Sequence, residues 1–210
     1  MNVKLFAHGP LRTNTYLLES GGEYAVIDPG QRNQPLFDFL RKQGVQLKWI
    51  LVTHGHFDHM TDAVPLRSEF GGRIVIHHAD AAALTDDRVS MFDRVSNRPA
   101  LHGLPDMTVS GGEELSLGEE RIRVMHTPGH TRGGVCFIWQ DVVFSGDTLF
   151  YRNVGRVDFD GGDAQQLLAS IQTLYDLPGD YRILPGHEEP TTMQEEREYN
   201  PYTNGYYSLV

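Results

Sequence analysis

The run His54-Gly55-His56-Phe57-Asp58-His59 places three imidazoles and one carboxylate within six residues. It directly follows the stretch 49–53, whose first four residues are apolar and typical of a buried strand. The run would then form a loop at the end of that strand, where α/β proteins place their chemistry. Because a buried imidazole without a partner costs free energy, packing alone does not explain these groups. The run therefore predicts a metal site, since histidine is the commonest metal ligand.

The composition is that of an acidic globular protein. The 210 residues match one large domain and no linker-like stretch divides them, so we expect a single domain over residues 1–210. The formal net charge of −10 disfavours a nucleic-acid partner, which requires clustered lysines and arginines. Residues 1–5 lack the apolar region of a signal peptide, and no stretch reaches the length of a transmembrane helix. We therefore expect no membrane association and a cytoplasmic location, whereas the oligomeric state stays open.

Apolar and alternating stretches predict strands throughout the chain, and amphipathic stretches between them predict helices. The predicted strands cover residues 14–18, 24–27, 49–52, 73–76, 114–117, 121–125, 135–139, 141–144 and 182–184. The predicted helices cover residues 35–43, 58–70 and 164–174. Strands interspersed with helices in this way predict an α/β fold, a four-layer αββα sandwich with two sheets face to face and the helices outside. The polar segment 86–106 is either a lid over a site or a solvated surface loop.

Three further strand ends deliver a residue of ligand type. His130, Asp147 and His187 each follow a predicted strand and a turn that contains glycine. Glycine lets the backbone bend sharply at such a point. A Gly-His or Gly-Asp pair is common by itself, but four such strand ends on one edge of a sandwich would converge on one pocket. Cys136, the single cysteine, lies in an apolar stretch, and we interpret it as core packing.

In kind and order these residues resemble the metallo-β-lactamase superfamily, over residues 13 to 190. The resemblance implies two metal ions. The first would be held by His54, His56 and His130, and the second by Asp58, His59 and His187, with Asp147 bridging both. The other five histidines are assigned no metal role; they are His8, His77, His78, His102 and His126.

The ligand types indicate the chemistry. Nitrogen and oxygen donors without a thiolate suit zinc, iron or manganese, and we expect two divalent ions, zinc in the first place. Two cations roughly 3.5–4 Å apart lower the pKa of a bridging water, and the resulting hydroxide attacks an electrophilic carbon. Asp58 would orient that water and accept its proton, which makes Asp58 the expected catalytic residue.

Segments 144–150, 155–163 and 198–202 resemble small glyoxalase II-like (hydroxyacylglutathione hydrolase-like) hydrolases. The resemblance implies a thioesterase for small-molecule thioesters of the S-D-lactoylglutathione type. The sequence ends without the helical substrate domain of the longer enzymes, so we expect weaker selectivity for glutathione. Arg156 is the candidate substrate-binding residue, because a guanidinium near the pocket could pair with a substrate carboxylate. Equally, Arg156 could pair with Asp158 or Asp163 in a structural role.

Three alternatives stay open. A persulfide dioxygenase has a similar Gly-Arg-x-Asp-Phe segment and uses one iron held by two histidines and one aspartate, but this chain departs from that family after Phe159. A lactonase or β-lactamase needs the same hydroxide. A non-catalytic member would keep the fold for binding, against which the complete ligand set argues. Length and charge oppose a nuclease.

Overall fold

The computed structural model describes residues 2–100 and 102–209, and within them two six-stranded sheets form the centre of the fold. The first sheet has the order β1-β2-β3-β4-β5-β6. Its strands are β1 (Asn2–His8), β2 (Thr13–Ser20), β3 (Glu23–Ile27), β4 (Leu47–Leu51), β5 (Arg73–His77) and β6 (Met107–Val109). Strands β3 to β6 run parallel, so that their carboxyl ends share one edge of the sheet.

The second sheet is mainly antiparallel, with the order β14-β13-β10-β9-β8-β7. Its strands are β7 (Glu114–Leu117), β8 (Glu120–His126), β9 (Val135–Trp139), β10 (Val142–Gly146), β13 (Arg182–Pro185) and β14 (Thr191–Thr192). A small hairpin is formed by β11 (Leu149–Phe150) and β12 (Asn153–Val154). Strands β10 and β13 run parallel and end together beside the first sheet.

Five α-helices lie in the described part of the chain. They are α1 (Gln34–Gln43), α2 (Phe57–Met60), α3 (Ala63–Phe70), α4 (Ala164–Tyr175) and α5 (Met193–Tyr199). Helix α1 begins at Asn33, whose side chain accepts from Leu36 N, and ends at Gly44 in the left-handed conformation. Helix α4 begins at Asp163, whose carboxylate caps Gln166 N.

Three apolar clusters separate four layers. The inner cluster joins the two sheets, with Trp49 and Leu51 of the first facing Phe137 and Trp139 of the second. One outer cluster packs α1 and α3 on the first sheet, and the other packs α4 on the second. Strand β4 serves two of these clusters because successive side chains point to opposite faces, so Ile50 packs outward. The predicted αββα sandwich is confirmed.

The boundaries of several elements differ from those predicted. The single helix expected over 58–70 is two helices, α2 and α3, separated at Thr61 and Asp62. The break has a physical cause, because the Asp62 carboxylate accepts from Arg32 N and Asn33 N and so ties this point to the loop after β3. Segment 86–106 contains a short 3₁₀ turn (Phe92–Arg94). No helix in residues 2–100 and 102–209 is long and apolar enough to cross a membrane.

Hydrogen bonds close the seam where the two sheets meet at the strand ends. Val135 N donates to Thr53 O at 2.8 Å, and Asn14 N donates to Gly186 O at 2.7 Å. The buried hydroxyl of Tyr16 donates to Pro185 O at 2.7 Å. These bonds align the ends of β4, β9 and β13, and they fix the position of the loops that follow β4 and β13.

Candidate metal centre

The structure brings all seven predicted ligand residues together at this seam. His54 and His56 lie in the loop after β4, and Asp58 and His59 lie in helix α2. The second sheet contributes the remaining three from the β8–β9 loop and from the ends of β10 and β13, namely His130, Asp147 and His187. All are buried except Asp147 and His187, which are half-buried. Within the described residues, the other five histidines belong to none of the donor groups that could hold a metal ion.

The donor atoms form two groups. In the first donor group, His56 Nδ1 lies 3.1 Å from His54 Nε2 and 2.9 Å from His130 Nε2. In the second donor group, Nε2 of His187 lies 3.3 Å from Nε2 of His59 and 3.2 Å from Oδ2 of Asp58.

Asp147 lies between the two donor groups. Its Oδ1 is 3.4 Å from His59 Nε2, and its Oδ2 is 3.6 Å from His130 Nε2 and 3.7 Å from His187 Nε2. It therefore contacts both groups, as a bridging ligand would. These contacts make the seam a candidate site for two metal ions.

The outer nitrogens of four histidines are held by neighbouring oxygens. His59 Nδ1 donates to Asp28 Oδ2 at 2.9 Å, and His54 Nδ1 donates to Thr53 Oγ1 at 3.1 Å. His130 Nδ1 and His187 Nδ1 donate to backbone carbonyls at 2.7 Å and 3.0 Å. Such bonds fix the orientation of each ring and direct each Nε2 at the site, where it can bind a cation in its deprotonated form, as is usual for metal-binding histidines.

The donor atoms fit cations better than they fit one another. Nε2 of His59 and Nε2 of His187 lie 3.3 Å apart, and the outer nitrogens of both rings already donate to Asp28 and to Leu11 O. Asp147 Oδ1 is buried and has no hydrogen-bond partner among residues 2–100 and 102–209. A cation at each group would give these nitrogens and this oxygen a common partner. The nitrogen and oxygen donors suit zinc, iron or manganese, and they do not distinguish between these metals.

The protonation of the site reflects the same crowding. Burial and the neighbouring His130 lower the pKa of His56 to about 3. Burial opposes protonation of His59, yet the carboxylates of Asp58, Asp147 and Asp28 raise its pKa to about 10. Burial also works against the Asp58 carboxylate, but His59 and His187 hold its pKa below the usual range. Because a ligating imidazole must give up its proton, a cation that binds at His59 releases one.

Glycine at two positions permits the close approach of the loops. A Cβ on Gly186 would overlap Asp147 Oδ1 and His59 Cε1. A Cβ on Gly30 would overlap the carbonyl of Asp58. Any larger residue at these positions would push ligand residues away from the site.

Sequence reasoning missed the acidic residues that support the ligands. The Asp28 carboxylate accepts from Thr53 N and Thr53 Oγ1 in addition to His59. The only sequence signal was its place at the end of β3, in a turn that Pro29 and Gly30 follow. Asp80 accepts from Gly55 N at 2.9 Å and from residues of the β8–β9 loop, so it joins the loops of the two sheets.

The candidate site opens into a cavity of about 930 Å³, which we call the main cavity. Its wall is largely apolar and includes Leu5, Leu11, Phe57, Met91 and Phe159. Charged side chains also line it, and they are Arg12, Arg156, Glu188 and Glu189 besides the candidate ligands.

The contacts of Arg156 are compatible with both of its expected roles, substrate binding and a structural pair with an aspartate. It lines the main cavity, and its guanidinium donates twice to the Asp158 carboxylate at 2.6 Å and lies 4.0 Å from the Phe159 ring centre. Asp163 instead caps helix α4. The exposed pair with Asp158 contributes little stability, so its loss would not unfold the chain.

The family model of the metallo-beta-lactamase superfamily matches residues 8–187, and the chain belongs to that superfamily. This membership supports a metal-dependent hydrolase. An uncharacterized protein of Mycobacterium leprae is 39% identical and covers 98% of this chain and 100% of its own. Hydroxyacylglutathione hydrolase GloC of Haemophilus influenzae is 32% identical, over 97% of this chain and 99% of its own.

Solved structures agree with the fold. The BLEG-1 B3 metallo-beta-lactamase superposes with a TM-score of 0.91 at 33% identity, over 97% of this chain and 100% of its own. TTHA1623 in a di-iron-bound form superposes with a TM-score of 0.84 at 34% identity, over 95% of this chain and 99% of its own. ETHE1 of Myxococcus xanthus superposes with a TM-score of 0.80 at 27% identity, over 98% of this chain and 85% of its own. Similar chains thus include a hydroxyacylglutathione hydrolase and a B3 metallo-beta-lactamase, and one similar chain is in a di-iron-bound form.

The two donor groups predict two metal ions per chain. Elemental analysis of protein purified without chelators should find close to two transition-metal ions, with the weaker site partly empty. A protein that contains no such metal and takes none up from zinc, iron or manganese salts would contradict the assignment of the site.

Replacing Asp28 by asparagine should weaken metal binding without removing a ligand. The asparagine amide presents a donor to groups that are themselves donors, so His59 loses its fixed orientation. We expect metal affinity to fall roughly 10- to 100-fold, as measured by competition with a chromophoric chelator. Asp106→Asn is the matched control, because Asp106 accepts from Ile74 N far from the site. Equal affinities in the two variants would show that Asp28 does not support His59.

Proposed function

We propose that this protein is a metal-dependent thioesterase that cleaves thioesters of the S-D-lactoylglutathione type. The observation that carries the proposal is the pair of donor groups joined by Asp147, beside a cavity large enough for a small thioester. Similarity to the Haemophilus influenzae hydrolase over almost the whole chain supports the substrate class. The cofactor would be two divalent ions, zinc in the first place, with iron or manganese as the alternatives.

The first donor group, the second donor group and Asp147 would hold these ions. When bound, two such ions supply Lewis acidity, which lowers the pKa of a water and polarises a carbonyl oxygen. Asp58 would serve the reaction as well as the metal. Its Oδ2 accepts from Thr13 Oγ1 at 2.9 Å and contacts His187. Its Oδ1 takes part in neither contact, so it is available to orient the attacking water and accept its proton.

The leaving group fits a site of this kind. A thiolate leaves without prior protonation, so hydrolysis of a thioester needs little help from a general acid. The apolar wall of the main cavity would exclude water from the acyl and thiol carbons, and Arg156 at its rim would pair with a substrate carboxylate.

A second candidate is hydrolysis of a lactone or β-lactam ring, and the similarity to the BLEG-1 enzyme favours it. Such a ring requires the same nucleophile but no thiolate leaving group. A third is a persulfide dioxygenase, for which iron would be required; the di-iron-bound relative keeps iron among the metals to be tested.

One experiment separates these functions. The metal content of native protein is measured, and the same sample is assayed with S-D-lactoylglutathione, a lactone and a β-lactam, and with glutathione persulfide under oxygen recording. The proposal expects release of free thiol from the thioester at a higher kcat/KM than ring opening. Oxygen consumption with the persulfide and no thioester cleavage would replace it by the dioxygenase function.

Replacing Asp58 by alanine should remove most of the turnover. Loss of an activating group typically costs about 10²- to 10⁴-fold in rate. The fold should survive, because Asp58 lies at the seam and not in an apolar cluster, and circular dichroism would verify this. Asp62→Ala is the control, since Asp62 is buried four residues away and its carboxylate bonds, among residues 2–100 and 102–209, only to the backbone nitrogens of residues 32 and 33. Folded Asp58→Ala protein with activity close to that of the control would refute the role.

Replacing Arg156 by alanine should raise KM for a glutathione thioester more than for an uncharged thioester with the same acyl group. The reason is that a lost ground-state contact with a carboxylate raises KM and leaves kcat unchanged. Arg152→Ala is the control, because Arg152 is also exposed and ion-paired, with Glu195, but does not line the main cavity. The same change in KM for both substrates would leave Arg156 only a structural role.

A further inference from the structure

A second, smaller cavity adjoins the main cavity. Its volume is about 170 Å³, and the two cavities share His56 and Met91 in their walls. Gly55 of the histidine loop and Thr131 of the β8–β9 loop form part of its lining. A ligand held at the first donor group could therefore extend past Met91 into this space.

Three arginines line this second cavity, which we call the basic cavity. Arg88 and Arg94 come from the segment after β5, and Arg132 comes from the β8–β9 loop. Neither Arg88 nor Arg94 forms an ion pair with any acidic residue in positions 2–100 and 102–209. Arg132 lies 3.7 Å from Asp160, but both side chains are largely exposed, so the pair is weak.

The two acidic residues of the basic cavity offset only part of its positive charge. Asp80 directs its carboxylate at Gly55 N, Thr131 Oγ1 and Gly133 N, at 2.7 to 2.9 Å, so both of its oxygens are already engaged. Asp160 is 96% exposed and points to solvent. Three exposed arginines and two aspartates thus line one small cavity, so its lining carries a net positive charge in a chain of net charge −10.

The Phe159 ring connects the basic cavity to the candidate metal centre. The Arg94 guanidinium lies 5.8 Å from the centre of this ring, and the ring centre lies 5.6 Å from that of His56. Phe159 itself lines the main cavity. Arg94 therefore stands at the junction, within reach of a ligand that occupies both cavities.

We propose that the basic cavity binds the anionic end of the thiol half of the substrate, either a carboxylate or a phosphate. The identity of the substrate rests on the proposed thioesterase function. Guanidinium groups recognise both anions through paired N–H donors. A liquid water occupies about 30 Å³, so the cavity has room for one anionic group and a few adjoining atoms, but not for a peptide or a nucleotide. The remainder of the thiol half would lie in the main cavity.

The test measures binding of free thiols to the metal-loaded protein by calorimetry, so it does not depend on turnover. Glutathione is compared with its diethyl ester, which lacks the carboxylate charges, and coenzyme A is compared with pantetheine, which lacks the phosphates. The variant R88Q/R94Q/R132Q is compared with the matched control R98Q/R121Q/R182Q. The control removes the same charge from exposed arginines that line neither cavity.

The wild-type chain should bind at least one anionic thiol roughly tenfold or more tightly than its uncharged partner, the effect of one charge-assisted hydrogen bond. The control should keep this preference, and the R88Q/R94Q/R132Q variant should lose most of it, because only a contact of the other glutathione carboxylate with Arg156 would remain. Raising the salt concentration should reduce the preference in the wild type and the control alone. A preference limited to glutathione identifies a carboxylate, and one limited to coenzyme A identifies a phosphate.

The two proposals fail in different ways. No preference for either anionic thiol in the wild type, or an equal preference in the two triple variants, overturns the anion site even if thioesters are hydrolysed. A preference that only the R88Q/R94Q/R132Q variant loses supports the anion site, even if thioester hydrolysis is absent and the proposed function fails.

Discussion

The packing of one sheet on the other is the constraint on which the rest of this structure depends. The inner apolar cluster, with Trp49 facing Phe137 and Trp139, is buried and extensive, whereas the candidate ligands at the seam crowd groups of like charge and like polarity together. Removing one large core side chain costs about 3–5 kcal/mol, which is comparable to a substantial part of the stability of a domain. Apolar packing at the centre therefore holds polar groups together at the edge, where they would not assemble by themselves.

The polar groups at the seam are ordered in shells. The candidate ligands face the site, and a second set of residues behind them holds them in place. This second set accepts hydrogen bonds from backbone nitrogens of the loops that follow strands of both sheets. Asp28 fixes Thr53 and His59 on the first sheet, while Asp80 ties Gly55 to the β8–β9 loop of the second. Segment 86–106 takes no part in these contacts and instead lines the cavities beside the site, through Arg88, Met91 and Arg94. Chains similar to this one include a B3 metallo-beta-lactamase and a hydroxyacylglutathione hydrolase, which is consistent with such a division.

The sequence predicted the parts of the fold that depend on local pattern. The buried strands and helices α1 and α4 have clear periodicity, and the αββα layers follow from them. Helix α5 was missed because it has no apolar stripe; it is stabilised by the buried Glu196, which accepts from Thr191, Asn200 and the backbone of Arg152. The edge strand β1 is half-exposed, and β11 and β12 have two residues each, so none of these three strands has a hydrophobic pattern that predicts it.

The residues of the candidate site likewise divide into those that the sequence predicted and those that it did not. Candidate ligands could be named because histidines and aspartates recur after strands, and the chain places them together as that recurrence implies. Asp28 and Asp80 could not be predicted from the sequence, because they support the site through hydrogen bonds to residues 25 to 53 positions away along the chain. The cluster of Arg88, Arg94 and Arg132 is likewise invisible in the sequence, since an arginine in a loop is ordinarily a solvated residue and only the fold makes neighbours of these three.

The origin of the ligands in both sheets also bears on how the protein is maintained in a cell. Residues 54–59 belong to one side of the seam, and His130, Asp147 and His187 belong to the other. An ion held by the candidate ligands of both sides would fasten the halves of the sandwich, and it would have no comparable site in the unfolded chain. By mass action, an ion at a thousandfold excess over its dissociation constant adds about 4 kcal/mol to the free energy of unfolding. The abundance of the folded protein would then follow the supply of metal, and a shortage would expose the chain to proteolysis before it limited any reaction.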